Sequence, residues 1–195
     1  MSRLLGKPAH QCYVYPDFGG AIEKFAAAGI GPFFVLDEVG GIGDYRGEQH
    51  VFSSQVAFVY SGDSCFEIIT PKPGCISAYN EFLNRNPHGG LHHIAYYSAD
   101  FGATLKMMEA EGRPLRTVVD MRNPATGESI EIYCEPVGID NPVLYQLMLP
   151  GLFDAWFAAM HQAAANWDGT DLIRDARPMM MAAMAQGAAA TLTAV

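Results

Sequence analysis

One pattern occurs twice in this chain. His10-Gln-Cys-Tyr-Val-Tyr-Pro-Asp17-Phe-Gly returns 83 residues later as His93-Ile-Ala-Tyr-Tyr-Ser-Ala-Asp100-Phe-Gly. The register holds beyond it: Ile22 answers Leu105, Phe25 answers Met108 and Gly29 answers Gly112. Each copy reads as a strand opening on His, an Asp N-cap, and an amphipathic helix stopped by Gly. The far ends also match, Phe66-Glu67-Ile-Ile-Thr-Pro71 against Tyr145-Gln146-Leu-Met-Leu-Pro150. A chain built this way folds as two equivalent halves. Its two His and two further metal-capable side chains then face a shared pseudo-twofold axis, where one metal ion would be bound.

Composition narrows the partners. At 195 residues the chain can bury a full core, and half of it is hydrophobic. The net charge of -9 and the lack of a Lys/Arg cluster exclude a nucleic-acid partner. Cys12, Cys65, Cys75 and Cys134 lack the CxxC spacing of zinc or redox pairs, so reduced thiols in a cytoplasmic protein are expected. The N-terminal stretch has no apolar core of a signal peptide, and no run is long and apolar enough for a membrane span.

Along the chain, copy one predicts a strand near 10–15, a helix to about Ala28, a strand over Pro32–Leu36 and a mobile Gly-rich loop at 40–49. A long strand from about His50 to Tyr60 and a last strand through Glu67 follow. Residues 71–91 link the halves, with a short helical piece near Tyr79–Leu83. Copy two repeats the order, with strands at 93–98, 115–121, 128–135 and 143–149 and a helix at 101–111. After Pro150 the character changes: Phe153, Trp156, Phe157 and Met160 recur at helical spacing, followed by an Ala/Met-rich tail.

Strand-helix-strand-strand-strand, stated twice with His opening each copy, resembles the vicinal oxygen chelate superfamily. That superfamily includes glyoxalase I, methylmalonyl-CoA epimerase, extradiol dioxygenases and bleomycin-resistance proteins. The residues that carry the resemblance are Gly-Leu-His-His-Ile-Ala at 90–95, Phe-Glu-Ile-Ile-Thr-Pro at 66–71 and Gly29-Ile-Gly-Pro-Phe-Phe-Val35. The resemblance implies an α+β fold of two tandem βαβββ modules, about 8–71 and 91–150 within a 1–150 domain. The modules form a metal-binding cup, and a helical extension over 151–195 follows. It also implies ligands on the first and last strand of each half, here His10, Glu67, His93 and Gln146, for one divalent ion such as Zn, Ni, Co, Mn or Fe. Strand alternation agrees: with Glu67 inward, Phe66 and Ile68 point out, and with Gln146 inward, Tyr145 and Leu147 point out.

Two positions compete with this set. His92 adjoins His93, and a slip of one residue would exchange them. The repeat aligns His93 with His10, which leaves His92 outward or at the rim. Glu131 also sits in a strand resembling the family's last one, but it lies only 38 residues after His93, against 57 from His10 to Glu67 and 53 from His93 to Gln146. It therefore belongs to the penultimate strand.

The implied chemistry is an isomerase, epimerase or lyase reaction on a small oxygen-bearing substrate, with an enolate stabilised by the metal. Glu131 and His50 are the candidate bases. An extradiol-type dioxygenase is the alternative enzyme, against which stands Gln146 where such sites need a carboxylate. A non-enzymatic resistance-type binding protein is the other alternative. The low charge and many Met and aromatic residues favour an apolar substrate body. The stripe after Pro150 is expected to cover the cup or form a homodimer interface.

Overall fold

Strand β1 (His10–Val14) alternates strictly, burying His10, Cys12 and Val14 and leaving Gln11 and Tyr13 part-exposed on the other face. The same two-sided logic runs through the other strands. In the computed structural model, which describes residues 2–123, 125–151 and 153–183, β1 is followed by α1 (Phe18–Ala26), β2 (Phe33–Tyr45), β3 (Glu48–Ser61) and β4 (Ser64–Pro71). A linker helix, α2 (Ala78–Arg85), leads to β5 (Gly90–Tyr97), α3 (Phe101–Ala110), β6 (Leu115–Arg122), β7 (Ser129–Pro136) and β8 (Leu144–Met148). The βαβββ order is thus repeated in an α+β fold. Helix α4 (Asp154–Ala165), the short strand β9 (Ile173–Asp175) and a helical turn over 177–183 come after.

Both module helices begin as the repeat predicts. Asp17 accepts from the Gly20 N–H at 3.2 Å and Asp100 from the Ala103 N–H at 2.8 Å, each satisfying a donor of the first turn. Helix α1 lays Ala21 and Ile22 on Phe33, Val35 and Ile68. Helix α3 lays Phe101 and Leu105 on Ile132 and Leu147. The outer faces of the sheet are thereby covered, and its inner faces form the cup.

The strands run β3-β4-β1-β5-β8-β7-β6-β2-β9, and β2 also pairs with β3, so the sheet closes on itself. Antiparallel β1 and β5 lie at the centre, each flanked by the last strand of its own half in parallel. Closure depends on residues 40–49, and it corrects the expectation of a mobile loop there. Strand β2 continues to Tyr45, turns through Arg46 and Gly47 (φ 50° and 88°), and returns as β3 with Tyr45 opposite Glu48. The tip of this hairpin pairs with β6, Gly43 facing Met121 and Tyr45 facing Val119. Gly43 is required there: a Cβ would sit 2.5 Å from Met121 Sδ and 3.3 Å from the Asp120 carbonyl oxygen. Gly43, and less tightly Gly41, serve close strand approach, while Gly47 supplies the positive φ of the turn.

The C-terminal stripe lies over the cup. Trp156 and Met160 are buried against Phe34, Val56 and Phe58 on the inner face of the first half. Trp156 meets Phe58 edge-on at 5.2 Å between ring centroids and stacks on Phe157 at 5.7 Å. The Tyr60 hydroxyl donates to the Phe157 carbonyl at 3.1 Å, tying α4 to β3. Strand β9 then joins β2 in parallel, and Met179 and Met180 pack on the same core. The part of the Ala/Met tail from residue 184 onward lies outside the described residues. Among the described residues, no helix is long and apolar enough to cross a membrane.

Candidate metal centre

The four central strands bring the repeat's polar residues together. Cys12 stands opposite Glu67, and Ala95 stands opposite Gln146. In each half the residue two positions after the His therefore pairs with the polar residue of the last strand. Cys12 and Ala95 are both fully buried, small enough to let the neighbouring side chains converge. His10, Glu67, His93 and Gln146 are 3, 8, 0 and 4 % exposed.

His10 Nε2 and His93 Nε2 each lie 3.3 Å from the same Glu67 oxygen, Oε2. Yet none of these three atoms makes a hydrogen bond of acceptable geometry, and Gln146 Oε1 is also buried without a partner. Unpaired buried polar atoms are costly, so four in one place call for a ligand. The ligand atoms of His10, Glu67 and His93 all lie within 4.8 Å of one another. Two ligands at about 2.0–2.1 Å on a tetrahedral ion are about 3.3 Å apart, the spacing of the two His–Glu contacts. The residues fit a divalent ion.

Electrostatics agree with the donor set. Burial pushes the Glu67 carboxyl up, but the charges and contacts of His10 and His93 more than offset it, and it lies well below the usual carboxylate range. Burial pulls the His93 imidazole down, although Glu67 opposes this, so the ring is held toward the neutral form that ligates metals. Gln146 faces two ways. Its Nε2 donates to Glu131 Oε2 at 2.9 Å and to the Tyr133 hydroxyl at 3.0 Å, while the side chain also lies against His93. Tyr133 in turn shares a 3.0 Å hydrogen bond with Tyr79 of the linker helix.

Of the two candidate bases, the fold brings one to the site. Glu131, on β7, lines the cavity that holds His10, Glu67 and Gln146. Burial, then the Glu67 charge, push its carboxyl up to about 7. His50 is not brought there. It lies toward the far end of the closing hairpin, opposite Gly43, with its Nε2 3.6 Å from Glu48, and it does not line the cavity. The strand assignment for His50 holds, but β3 is so long that its first residues run past the cup.

Of the two places the sequence leaves for His92, outward or at the rim of the cup, burial excludes the outward one. Cys12 pairs with His93 and Tyr13 with Leu91, so His92 is the extra residue of a β-bulge. A bulge puts two consecutive side chains on one side of a strand. His92 is therefore buried, with Nδ1 2.9 Å from His93 Nδ1. Tyr79, which also reaches the site, comes from the linker, where no repeat marks it. A doubled His before an apolar strand is the signal that could have indicated the bulge.

The cavity measures about 830 Å³ counted to its open mouth. Its polar groups, His10, Glu67, Gln146, Glu131, Tyr133 and Tyr79, are accompanied by a largely apolar wall that includes Phe52, Val56, Phe58, Met121, Phe157 and Met180. Phe157 reaches to 5.9 Å from the His10 ring, so the C-terminal extension forms part of the wall beside the centre.

Comparison with known proteins agrees with this architecture. Among solved structures, methylmalonyl-CoA epimerase from Mycobacterium tuberculosis is similar at 18% identity, over 77% of this chain and 92% of that one, with a TM-score of 0.50. A single-substitution variant of methylmalonyl-CoA epimerase from Streptomyces coelicolor, in complex with 2-nitronate-propionyl-CoA, aligns at 19% identity over 75% of this chain and 96% of that one, with a TM-score of 0.47. At 18% identity the likeness to the Mycobacterium tuberculosis protein is one of fold. No curated protein matches by sequence. The profile of the Glyoxalase/Bleomycin resistance protein/Dioxygenase superfamily matches residues 9–131, more than half of the chain, from the first strand to the candidate base. With its paired βαβββ halves around a shared cluster of His and carboxylate, the chain belongs to that superfamily.

Proposed function

We propose that His10, Glu67, His93 and Gln146 hold one divalent metal ion, and that the protein is a glyoxalase-type isomerase, epimerase or lyase. The observation that carries this reading is that the buried, unpartnered Nε2 atoms of His10 and His93 meet Glu67 Oε2 at 3.3 Å each, with the unpartnered Gln146 Oε1 in a side chain lining the same cavity. When bound, the ion would supply Lewis-acid polarisation of a substrate oxygen, acidifying the adjacent C–H. The chain's own residues do the rest. Glu131 takes the proton from the carbon beside the substrate carbonyl and returns it to the same carbon or its neighbour. A buried carboxyl, pushed by burial above the usual carboxylate range, suits that task, because it is a stronger base than an exposed one. The hydrogen bond from Gln146 fixes Glu131 Oε2 beside the centre. The apolar wall, completed by Phe157 and Met180, selects a substrate with a small oxygen-bearing head and an apolar body and excludes water from the exchange.

The test is metal analysis of protein purified without chelator, paired with His10→Ala and Glu67→Ala. The expected result is about one equivalent of metal in the wild type, lost in both variants with the fold retained. Unchanged metal content in both variants would refute the assignment. Proton exchange is then read as solvent deuterium entering the carbon beside the carbonyl of trial ketones and thioesters. Oxygen consumption with a catechol would instead assign an extradiol dioxygenase.

A further inference from the structure

We infer that His92 is the positioning residue that fixes the tautomer and ring plane of His93, and that linker helix α2 holds His92 in place for it. The inference rests on the metal centre proposed above. Its starting point is the bulge in β5, which sets the two imidazoles side by side with their Nδ1 atoms 2.9 Å apart. Two ring nitrogens at that distance share one proton: one donates and the other accepts.

Which nitrogen donates follows from the other end of His93. Its Nε2 faces Glu67 Oε2 at 3.3 Å. A nitrogen that binds metal carries no proton, so the proton of a neutral His93 sits on Nδ1. His93 Nδ1–H therefore donates to His92 Nδ1, and His92 carries its own proton on Nε2. His92 and Ala78, the first residue of α2, line one small cavity. The rings of Tyr79 and Phe82, also from α2, lie 5.0 and 5.2 Å from the His92 ring. Ligating histidines usually give their second N–H to a carboxylate or a backbone carbonyl. Here a second imidazole takes that role, and the segment joining the two halves orients it.

The buried group of Cys12, His92 and His93 has a rival reading as a second metal site. The Nδ1–Nδ1 separation of 2.9 Å is a hydrogen-bond length and is shorter than the about 3.3 Å between two nitrogens on a tetrahedral ion, the geometry a thiolate-containing site takes.

The experiment is a zinc titration against a chelating dye for the wild type, His92→Phe and His92→Asn, with thermal unfolding of each. Phe fills the space between Tyr79 and Phe82 but cannot accept a hydrogen bond. Asn places an acceptor oxygen close to the Nδ1 position. The expected result is zinc affinity lowered about 10–100-fold in His92→Phe and largely rescued in His92→Asn. A folded His92→Phe with wild-type affinity overturns the inference. A long-range 1H–15N correlation spectrum of the zinc-loaded wild type tests it with no variant. His93 protonated on Nδ1 and His92 on Nε2 supports it, and any other pair of tautomers overturns it. A wild type that takes up no zinc defeats the metal centre itself. Zinc binding that is indifferent to His92 defeats only the role assigned here.

Discussion

Trp156 gives a quantitative test of how the C-terminal segment is held over the cup. The residue is 6 % exposed, its ring packs against Phe58, Phe153 and Phe157, and Nε1 is buried without a hydrogen-bond partner among the described residues. The side chain thus combines a large favourable term with an unfavourable one. Trp156→Ala removes the packing and leaves a cavity, at a cost of about 3–5 kcal/mol. For a chain of this length each kcal/mol shifts Tm by roughly 2–4 °C, so the expected drop is roughly 6–20 °C. Trp156→Phe keeps most of the aromatic body. Its lost contacts cost about 1–2 kcal/mol. Removing an unsatisfied buried N–H returns about 1–3 kcal/mol. The net change is within about 2 kcal/mol of zero, a Tm shift below roughly 8 °C. Thermal unfolding by circular dichroism, with urea unfolding alongside it, reads both variants. A Trp156→Phe protein destabilised as far as Trp156→Ala refutes the reasoning, because the N–H is then paired in solution. An unaffected Trp156→Ala refutes the closed arrangement of the segment.

Three further outcomes are expected. Glu131→Gln retains the metal but lowers deuterium exchange by roughly 100–10,000-fold, the usual contribution of a positioned base, and exchange at the wild-type rate would show that another group moves the proton. Gly43→Val forces a branched side chain against Met121 and the Asp120 carbonyl, opening the β2–β6 seam, so amide hydrogen exchange should quicken at residues 43–45 and 119–121 while α1 stays protected. Gln146→Glu sets a second carboxylate against Glu131 in place of a donor 2.9 Å away, and deuterium exchange should fall even where metal content holds, with retained exchange counting against the role of Gln146 as the anchor of Glu131.

The pairing of the site residues was readable because it follows from periodicity two and an internal repeat. Once His10 is aligned with His93, the inward faces of β1, β4, β5 and β8 follow, and Glu67 and Gln146 converge with the histidines. What could not be read depends on contacts made by other strands. Residues 40–49 carry little β propensity of their own, and their strand exists because β3 pairs on one edge and β6 on the other. The turn inward of His92 depends on a bulge set by the register of β1 against β5, which strict alternation cannot express. His50 was assigned to the right strand, but no residue pattern states how far that strand overruns the cup. Tyr79 sits in the linker, the one segment within the sheet region that has no counterpart in the repeat to mark it.

The departure from symmetry at Gln146 follows from what surrounds it. The two halves supply equivalent histidines, but the first supplies a carboxylate from its last strand and the second an amide. On the first half, the cup side of Glu67 is packed by apolar residues such as Phe58 and Ile69. On the second half, the corresponding position faces Glu131 and Tyr133 from β7. A carboxylate there would meet Glu131 with no donor between them, and one of the two would have to take up a proton. An amide is both acceptor and donor. Its oxygen is free for the centre, while its nitrogen satisfies Glu131 and Tyr133 together. Gln146 therefore links the proposed metal ligands to the proposed base. The two halves place a carboxylate and an amide at equivalent positions, and under the proposed function that difference gives the centre one side for the ion and one for the base.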